Sequence, residues 1–284
     1  MKLHQPNADV CIPDGSPMSE ALARTTHLAI GAHQDDLEFF AYHGIEACYA
    51  SKENWFTGIT CTDGAGSSRT GLYSDVTDEE MQHIRTEEQR KAASVGEYSA
   101  MIQLGMPSSA IKDSSNTSCI EDLVSILSQA RPETVYLHNP ADKHDTHIAV
   151  TLRSIEALRR LPIDQRPKQI WGCEIWRGLD WLIDEDKGLL ATSARPNLQV
   201  ALNGIFKSQI QGGKRYDLAV MGRRLANATF FDSHAADSET GFTWAMDLSP
   251  LVHDENLDIT DFTLGYVERL KLDIRNRIAK FSAI

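Results

Sequence analysis

The sequence predicts an α/β protein with a mostly parallel, Rossmann-like sheet and helices on both faces. Three observations predict it. Short apolar runs alternate with longer amphipathic segments, the pattern of βαβ units. The chain has 284 residues and is 42% hydrophobic, enough for a substantial core. Two clusters of His and Asp each follow an apolar run, and in open parallel sheets ligands bind beyond the carboxyl ends of the strands.

Taken in order, residues 1–24 are polar and contain Pro6, Pro13 and Pro17, which reads as an irregular lead-in. Leu28-Ala29-Ile30, bounded by Gly31, is a buried first strand. A helix follows over about residues 39–51, then a strand over 55–61 that ends in the small-residue loop 62–69. Thr77-Asp78-Glu79-Glu80 has the form of a capping box, so a helix starts there and runs to about Val95, with Gly96 as its stop. A strand over 99–104, a helix over 119–130 and a strand over 134–137 come next. The helix over 146–161 places Ile148, Leu152, Ile155 and Leu158 on one side, the spacing of a buried face. Residues 169–176 form a fifth strand, leading into Arg177-Gly178-Leu179-Asp180-Trp181. The last third shows less pattern: helices over 201–211 and 216–228, then a long one over 260–281. In that last helix Val267, Leu270, Ile274, Ile278 and Phe281 recur at helical spacing. No repeat or linker divides the chain, so a single domain over 1–284 is expected.

Composition narrows the function. The formal net charge is −12, whereas binding a phosphate backbone or an anionic membrane calls for a basic face. The five cysteines are scattered and form no C-x-x-C pair, so neither a disulfide framework nor a cysteine zinc site is expected. Reduced thiols and the lack of an apolar leader or spanning segment point to a cytoplasmic protein. Gly64-Ala65-Gly66 lacks the third glycine of a dinucleotide fingerprint, and there is no Walker A loop and no G-x-S-x-G elbow.

The chemistry sits in the two clusters. The first is His33, Asp35 and Asp36; the second runs from Asn139 to His147 and holds Asp142, His144, Asp145 and His147. Each alone also suits a helix start, where Asp is favoured. Facing one crevice, they supply two His and one Asp for a metal, plus a further acid and a further imidazole. Zinc takes three such ligands and keeps one position for water, whose pKa it lowers toward about 7. A carboxylate beside the metal then serves as base, and an imidazole near the leaving group stabilises an oxyanion or protonates an amine. That equipment suits hydrolysis of an amide. Trp176, Arg177, Asp180 and Trp181 are candidates for stacking on a sugar, although aromatics after a strand equally serve a core or an interface.

Ala32-His33-Gln34-Asp35-Asp36-Leu37-Glu38 resembles the A-H-x-D-D-x-E signature of the PIG-L / LmbE-like deacetylases, and His144-Asp145-Thr146-His147 resembles their later H-x-D-H element. Arg85-Thr86-Glu87-Glu88, Ala92-Ala93 and the loop ending at Arg69 extend the likeness over about residues 25–160. The resemblance implies zinc-dependent removal of an N-acetyl group from an N-acetylglucosamine-type sugar or conjugate, with oligomerisation common among relatives. It implies His33, Asp36 and His147 as zinc ligands, Asp35 as general base, and His144 as general acid or oxyanion stabiliser. Arg69 would bind substrate. Other divalent metals suit the same ligands.

Three departures stand out. Gln34 replaces a common proline and Ala65 a common glutamate. Thr146 replaces the aspartate that usually orients the catalytic His, which would leave His144 with a lower pKa and a looser orientation unless Asp145 or Asp142 substitutes. A related metal-dependent amidase or O-deacetylase, or a non-catalytic metal- or sugar-binding homologue, are therefore the alternative readings.

Overall fold

A computed structural model describes residues 1–282. In chain order its elements are β1 (Asp9–Cys11), α1 (Met18–Ala23), β2 (His27–Gly31), α2 (Asp36–Phe40), α3 (Tyr42–Cys48), β3 (Phe56–Thr62) and α4 (Asp78–Val95). Then come β4 (Ala100–Met106), α5 (Ser108–Lys112), α6 (Ser118–Ala130), β5 (Thr134–His138), α7 (Asp145–Arg159) and β6 (Gln169–Cys173). The final third holds β7 (Gly188–Ala191), α8 (Pro196–Asn203), α9 (Lys207–Gln211), α10 (Tyr216–Phe230), β8 (Phe242–Asp247), α11 (Ser249–His253) and α12 (Ile259–Phe281).

One eight-stranded sheet runs in the order β1-β4-β3-β2-β5-β6-β8-β7. The five central strands are parallel; β1, β8 and β7 pair antiparallel at its edges. Successive side chains of a strand point to opposite faces, so β2 sends Leu28 and Ile30 into one hydrophobic cluster and Ala29 into another. Strand β5 does the same with Val135 and Leu137 against Tyr136. Both faces are therefore covered, and the strands read as continuous apolar runs rather than alternating ones. From β2 the chain builds outward through β3 and β4, then returns to the other side of β2 with β5 and β6. The reversal lies between β2 and β5, and the crevice at such a switch point is where open α/β sheets bind ligands.

The α4 start behaves as read. Thr77 Oγ1 accepts from the Glu80 backbone N–H at 3.2 Å and the Glu80 carboxylate accepts from the Thr77 N–H at 2.8 Å, with Gly96 at the C-cap.

Other expectations need correction. The lead-in holds β1 and α1: β1 gains ladder bonds to β4, which no local pattern announces. The helix expected over 39–51 is two helices broken at Ala41, and that over 201–211 is likewise two. The fifth strand stops at Cys173, and residues 174–176 turn into the site. On α7 the inward face carries His147, Val150, Thr151, Ser154, Ile155 and Leu158, while Leu152 is exposed. On α12 only Tyr266 is buried, and Val267, Ile274, Ile278 and Phe281 face solvent. No helix among the described residues is long and apolar enough to cross a membrane.

Candidate active site

The site is built where β2 and β5 end. Gly31 closes β2, and a Cβ there would approach Leu37 Cδ2 to 2.9 Å and Asp36 Cβ to 3.1 Å. Only glycine lets the 33–36 loop fold back this tightly. Within the loop the His33 N–H donates to Asp36 Oδ2 at 2.6 Å, and the His33 ring Nδ1 lies 3.2 Å from the same oxygen. From the other cluster, His147 Nε2 reaches within 3.5 Å of Asp36 Oδ1 and 3.2 Å of His33 Nδ1. The tertiary fold thus brings His33, Asp36 and His147 together across more than a hundred residues of sequence.

These donors fit a divalent metal. Bonds of about 2.0–2.1 Å in a tetrahedron put neighbouring ligand atoms about 3.3–3.4 Å apart; here the separations are 3.2 to 3.5 Å, with His33 and His147 each nearest a different oxygen of Asp36. The His147 Nδ1–H faces Asp142 Oδ2 at 2.8 Å, so Nε2 keeps its lone pair for the centre, the usual carboxylate–histidine arrangement of metal sites. Burial lowers the His33 imidazole to about 4, so it too is a neutral donor at pH 7. Burial opposes ionisation of Asp36, but His147, His138 and His33 around it hold its carboxyl well below the usual range.

His138, the last residue of β5, is the neighbour that sequence reading missed. It is buried, stacks on His147 with ring centroids 3.9 Å apart, and lies 3.4 Å from Asp36 Oδ2. Potential ligand atoms group within 4.8 Å in two ways, His33/His144/His147 and Asp36/His138/His147. Yet His138 Nε2 already accepts the Ala32 backbone N–H at 2.9 Å, so that lone pair is committed. His138 packs beneath the site, and its only sequence signal was a polar residue ending an apolar strand.

Asp35 stands beside the cluster in a strained conformation, φ 109° and ψ −29°. A non-glycine residue there costs roughly 1–3 kcal/mol and persists only when its surroundings enforce it. Here α4 enforces it: Gln89 Oε1 accepts the Asp35 N–H at 3.2 Å, Arg85 Nη2 donates to the Gln34 carbonyl at 2.5 Å and lies 3.5 Å from Asp35 Oδ1. Gln89 is itself held by Glu38, which also accepts from Tyr98 Oη. Burial pushes the Asp35 carboxyl well above its ordinary value, Arg85 pulls it down, and Asp36, Glu38 and Glu88 push it further up. It is a carboxylate poised to take a proton.

His144 caps α7 and lies edge-on to His33, with ring centroids 5.1 Å apart. Its Nδ1 is buried and has no hydrogen-bond partner among the described residues. Asp142 is spent on His147, on the Lys143 N–H and on the Arg177 N–H, and Thr146 supplies no bond to the ring. Burial and His147 lower the His144 pKa against the pull of Asp36, Asp142 and Asp145.

A cavity of about 610 Å³ opens over these groups. His33, Asp35, Asp36 and His144 form its floor, and its walls include the 63–68 loop, Trp176, Lys214, Tyr216 and Arg223. Trp176 is held there because the next residue's N–H bonds Asp142 at 2.7 Å. Arg177, Asp180, Trp181 and Arg69 do not line it. Arg69, the substrate-binding candidate of the sequence, has its guanidinium tied to the Ala65 carbonyl at 2.7 Å and to Asp78 at 2.5 Å. Arg69→Ala is expected to leave KM within about twofold, since a surface ion pair contributes about 0–1 kcal/mol; steady-state kinetics checks it. Of the cations that do reach the cavity, Arg85 lies in the stretch already quoted, whereas Lys214 and Arg223 lie in the last third, where no motif marked them.

No curated protein sequence matches the chain. Among solved structures it is similar to GalB, the 4-carboxy-2-hydroxymuconate hydratase from Pseudomonas putida KT2440, at 17% identity and TM-score 0.61, covering 82% of this chain and 100% of that one. It is also similar to the N,N'-diacetylchitobiose deacetylase from Pyrococcus horikoshii, at 16% identity and TM-score 0.56, covering 77% and 82%. A third is the zinc-inhibited form of teicoplanin deacetylase Orf2, at 14% identity and TM-score 0.55, covering 78% and 97%. These likenesses establish the fold. Residues 28–158, which contain both His/Asp clusters, match the PIG-L family, described as GlcNAc-PI de-N-acetylase.

Proposed function

We propose that this protein is a zinc-dependent hydrolase that removes the N-acetyl group from an N-acetylglucosamine-type sugar or sugar conjugate. The observation that carries the reading is the convergence of His33, Asp36 and His147 near metal-ligand spacing, with Asp35 held beside them by Arg85. The cavity's polar floor and its Trp176 and Tyr216 walls suit a sugar ring. The family match and the chitobiose deacetylase among the structural relatives support the substrate class. A divalent ion held by the three ligands would supply a Lewis acid and a water of lowered pKa. Five unpaired cysteines support a reducing, cytoplasmic setting.

The residues then divide the work. Asp35 takes a proton from the attacking water, and its raised pKa makes it a stronger base than a surface carboxylate. The water oxygen bonds the acetyl carbon, the C–N bond breaks, and acetate and a free amine leave. His144, across the cavity floor from Asp35, hydrogen-bonds the developing oxyanion or delivers a proton to the departing nitrogen. Arg85 and Gln89 hold Asp35 in place.

Parallel measurement of acetate and primary amine from N-acetylglucosamine conjugates, with zinc-loaded protein, tests the reading. Equal release of both supports it. Acetate without amine marks an O-deacetylase, and neither product favours a non-catalytic binder.

Thr146→Asp bears on the same imidazole. A carboxylate beside His144 stabilises its protonated form and raises its pKa. If His144 works as an acid, the alkaline limb of the kcat/KM profile moves to higher pH in this variant; an unmoved limb removes His144 from that role.

A further inference from the structure

Between the proposed ligand His33 and the proposed base Asp35 lies Gln34, buried and outside the cavity lining. Its amide runs into the sheet. Nε2 donates to the Thr62 carbonyl at the end of β3 and to Gln103 Oε1 on β4, both at 3.2 Å. Gln103 is buried too and continues the line. Its Nε2 donates to the Thr86 carbonyl of α4 at 3.1 Å and to Asp9 Oδ2 of β1 at 3.3 Å. Arg90, one turn beyond Thr86 on α4, closes the line by donating from Nε to Asp9 at 3.0 Å.

Only one orientation of the two amides satisfies this line. The Thr62 and Thr86 carbonyls and the Asp9 carboxylate accept and cannot donate. Gln34 must therefore turn its NH2 group to Thr62, and with it to Gln103. Gln103 answers with its oxygen and turns its own NH2 group to Thr86 and Asp9. Each amide is thus fixed by the other and by acceptors at both ends, and buried networks connected in this way are rigid.

The remaining atom of the Gln34 amide points toward the support of the base. Gln34 Oε1 is buried with no hydrogen-bond partner among the described residues, and so is Arg85 Nε. Both border one point above Gly64. A Cβ added there would lie 2.5 Å from Gln34 Oε1 and 3.2 Å from Arg85 Nε. An acceptor thus stands near an unused donor of the guanidinium that lies 3.5 Å from Asp35 Oδ1.

We propose, on the reading of Asp35 as the base, that Gln34 and Gln103 are paired positioning residues: they brace the 33–36 loop from the sheet side and hold Arg85, and through it Asp35, in place. Gln89 and Arg85 reach Asp35 from α4 alone, and its left-handed backbone persists only where the surroundings enforce it. A misplacement of about 1 Å costs on the order of 10²-fold in rate. Neither glutamine lines the cavity, so substrate binding is left alone.

Gln34→Met and Gln103→Met keep side-chain length and remove the amide. Each should lower kcat about 10-fold or more while KM stays within about twofold and metal stoichiometry is unchanged. The double variant should lose about as much as the worse single one, because both act through one line. Gln34→Asn, which keeps the amide but falls one carbon short, is the milder variant and should show the same split. Lowered thermal stability with kcat within about twofold of wild type overturns the proposal, and so do losses that multiply in the double variant. Amide hydrogen exchange needs no turnover and separates this brace from the deacetylase reading. The Asp35 N–H, bound to Gln89, should exchange about 10-fold faster or more in each variant, with the β2 amides unchanged. If the wild type releases neither acetate nor amine but the variants show this exchange, the deacetylase reading falls and the brace stands. Unchanged exchange at Asp35 overturns the brace.

Discussion

Asp35→Asn should lower turnover by about 10²–10⁴-fold, the usual share of a positioned general base, while metal stoichiometry stays at the wild-type value. The reasons are local. Asn, like Asp, tolerates the left-handed backbone that this position requires, and the Gln89 carbonyl that accepts the Asp35 N–H is untouched. The fold should therefore survive. What disappears is the oxygen that takes the proton. The proposed ligands His33, Asp36 and His147 contact each other rather than Asp35, so metal uptake gives an independent readout. Kinetics alongside metal analysis of the same sample checks this. Wild-type turnover in the variant would transfer the base role elsewhere, with Glu38 excluded in advance because it does not line the cavity.

Asp142→Asn should weaken metal binding by about 10–100-fold, as losses of this kind around metal sites typically do. The carboxylate holds the His147 Nδ1–H at 2.8 Å and thereby keeps Nε2 unprotonated toward the centre. An amide can turn its NH2 toward Nδ1 and favour the wrong tautomer. Asp142 also accepts the Arg177 N–H at 2.7 Å, beside Trp176 in the cavity wall. One substitution should therefore raise both the metal dissociation constant and, at saturating metal, KM. Competition with a chelator reads the first and steady-state kinetics the second. A change in KM with unaltered metal affinity would mean that His147 does not depend on this partner. His147→Ala, which deletes a donor outright, is the stronger control and should abolish stoichiometric uptake.

Much of this protein was legible before folding was considered. The strands β2, β3, β4 and β5 are apolar on both faces because both faces of the sheet are covered, so each shows as a continuous run between small residues. Thr77 and Glu80 announced α4 because a capping box is a contact between residues three apart. The clusters around His33 and His144 stood out because site residues crowd at strand ends. What escaped has the opposite character. β1, β7 and β8 are short edge or near-edge strands whose existence depends on bonds to distant partners. His138 reads as an ordinary strand residue until β2 delivers the Ala32 N–H to it.

By itself, then, the sequence determined the order of the central elements, the α/β class, the likeness of residues 28–158 to the PIG-L family and the identity of the clustered imidazoles and carboxylates, because all of these are carried by local periodicity or by residues close in the chain. Only the tertiary structure decided which imidazole points its lone pair at Asp36, that Asp35 is held in a left-handed conformation by α4, that Arg69 is spent on Asp78, and that Lys214 and Arg223 reach the cavity. Those are facts of direction and distance between segments far apart in sequence, and a side chain's direction is set by what the folded neighbours leave it to bond.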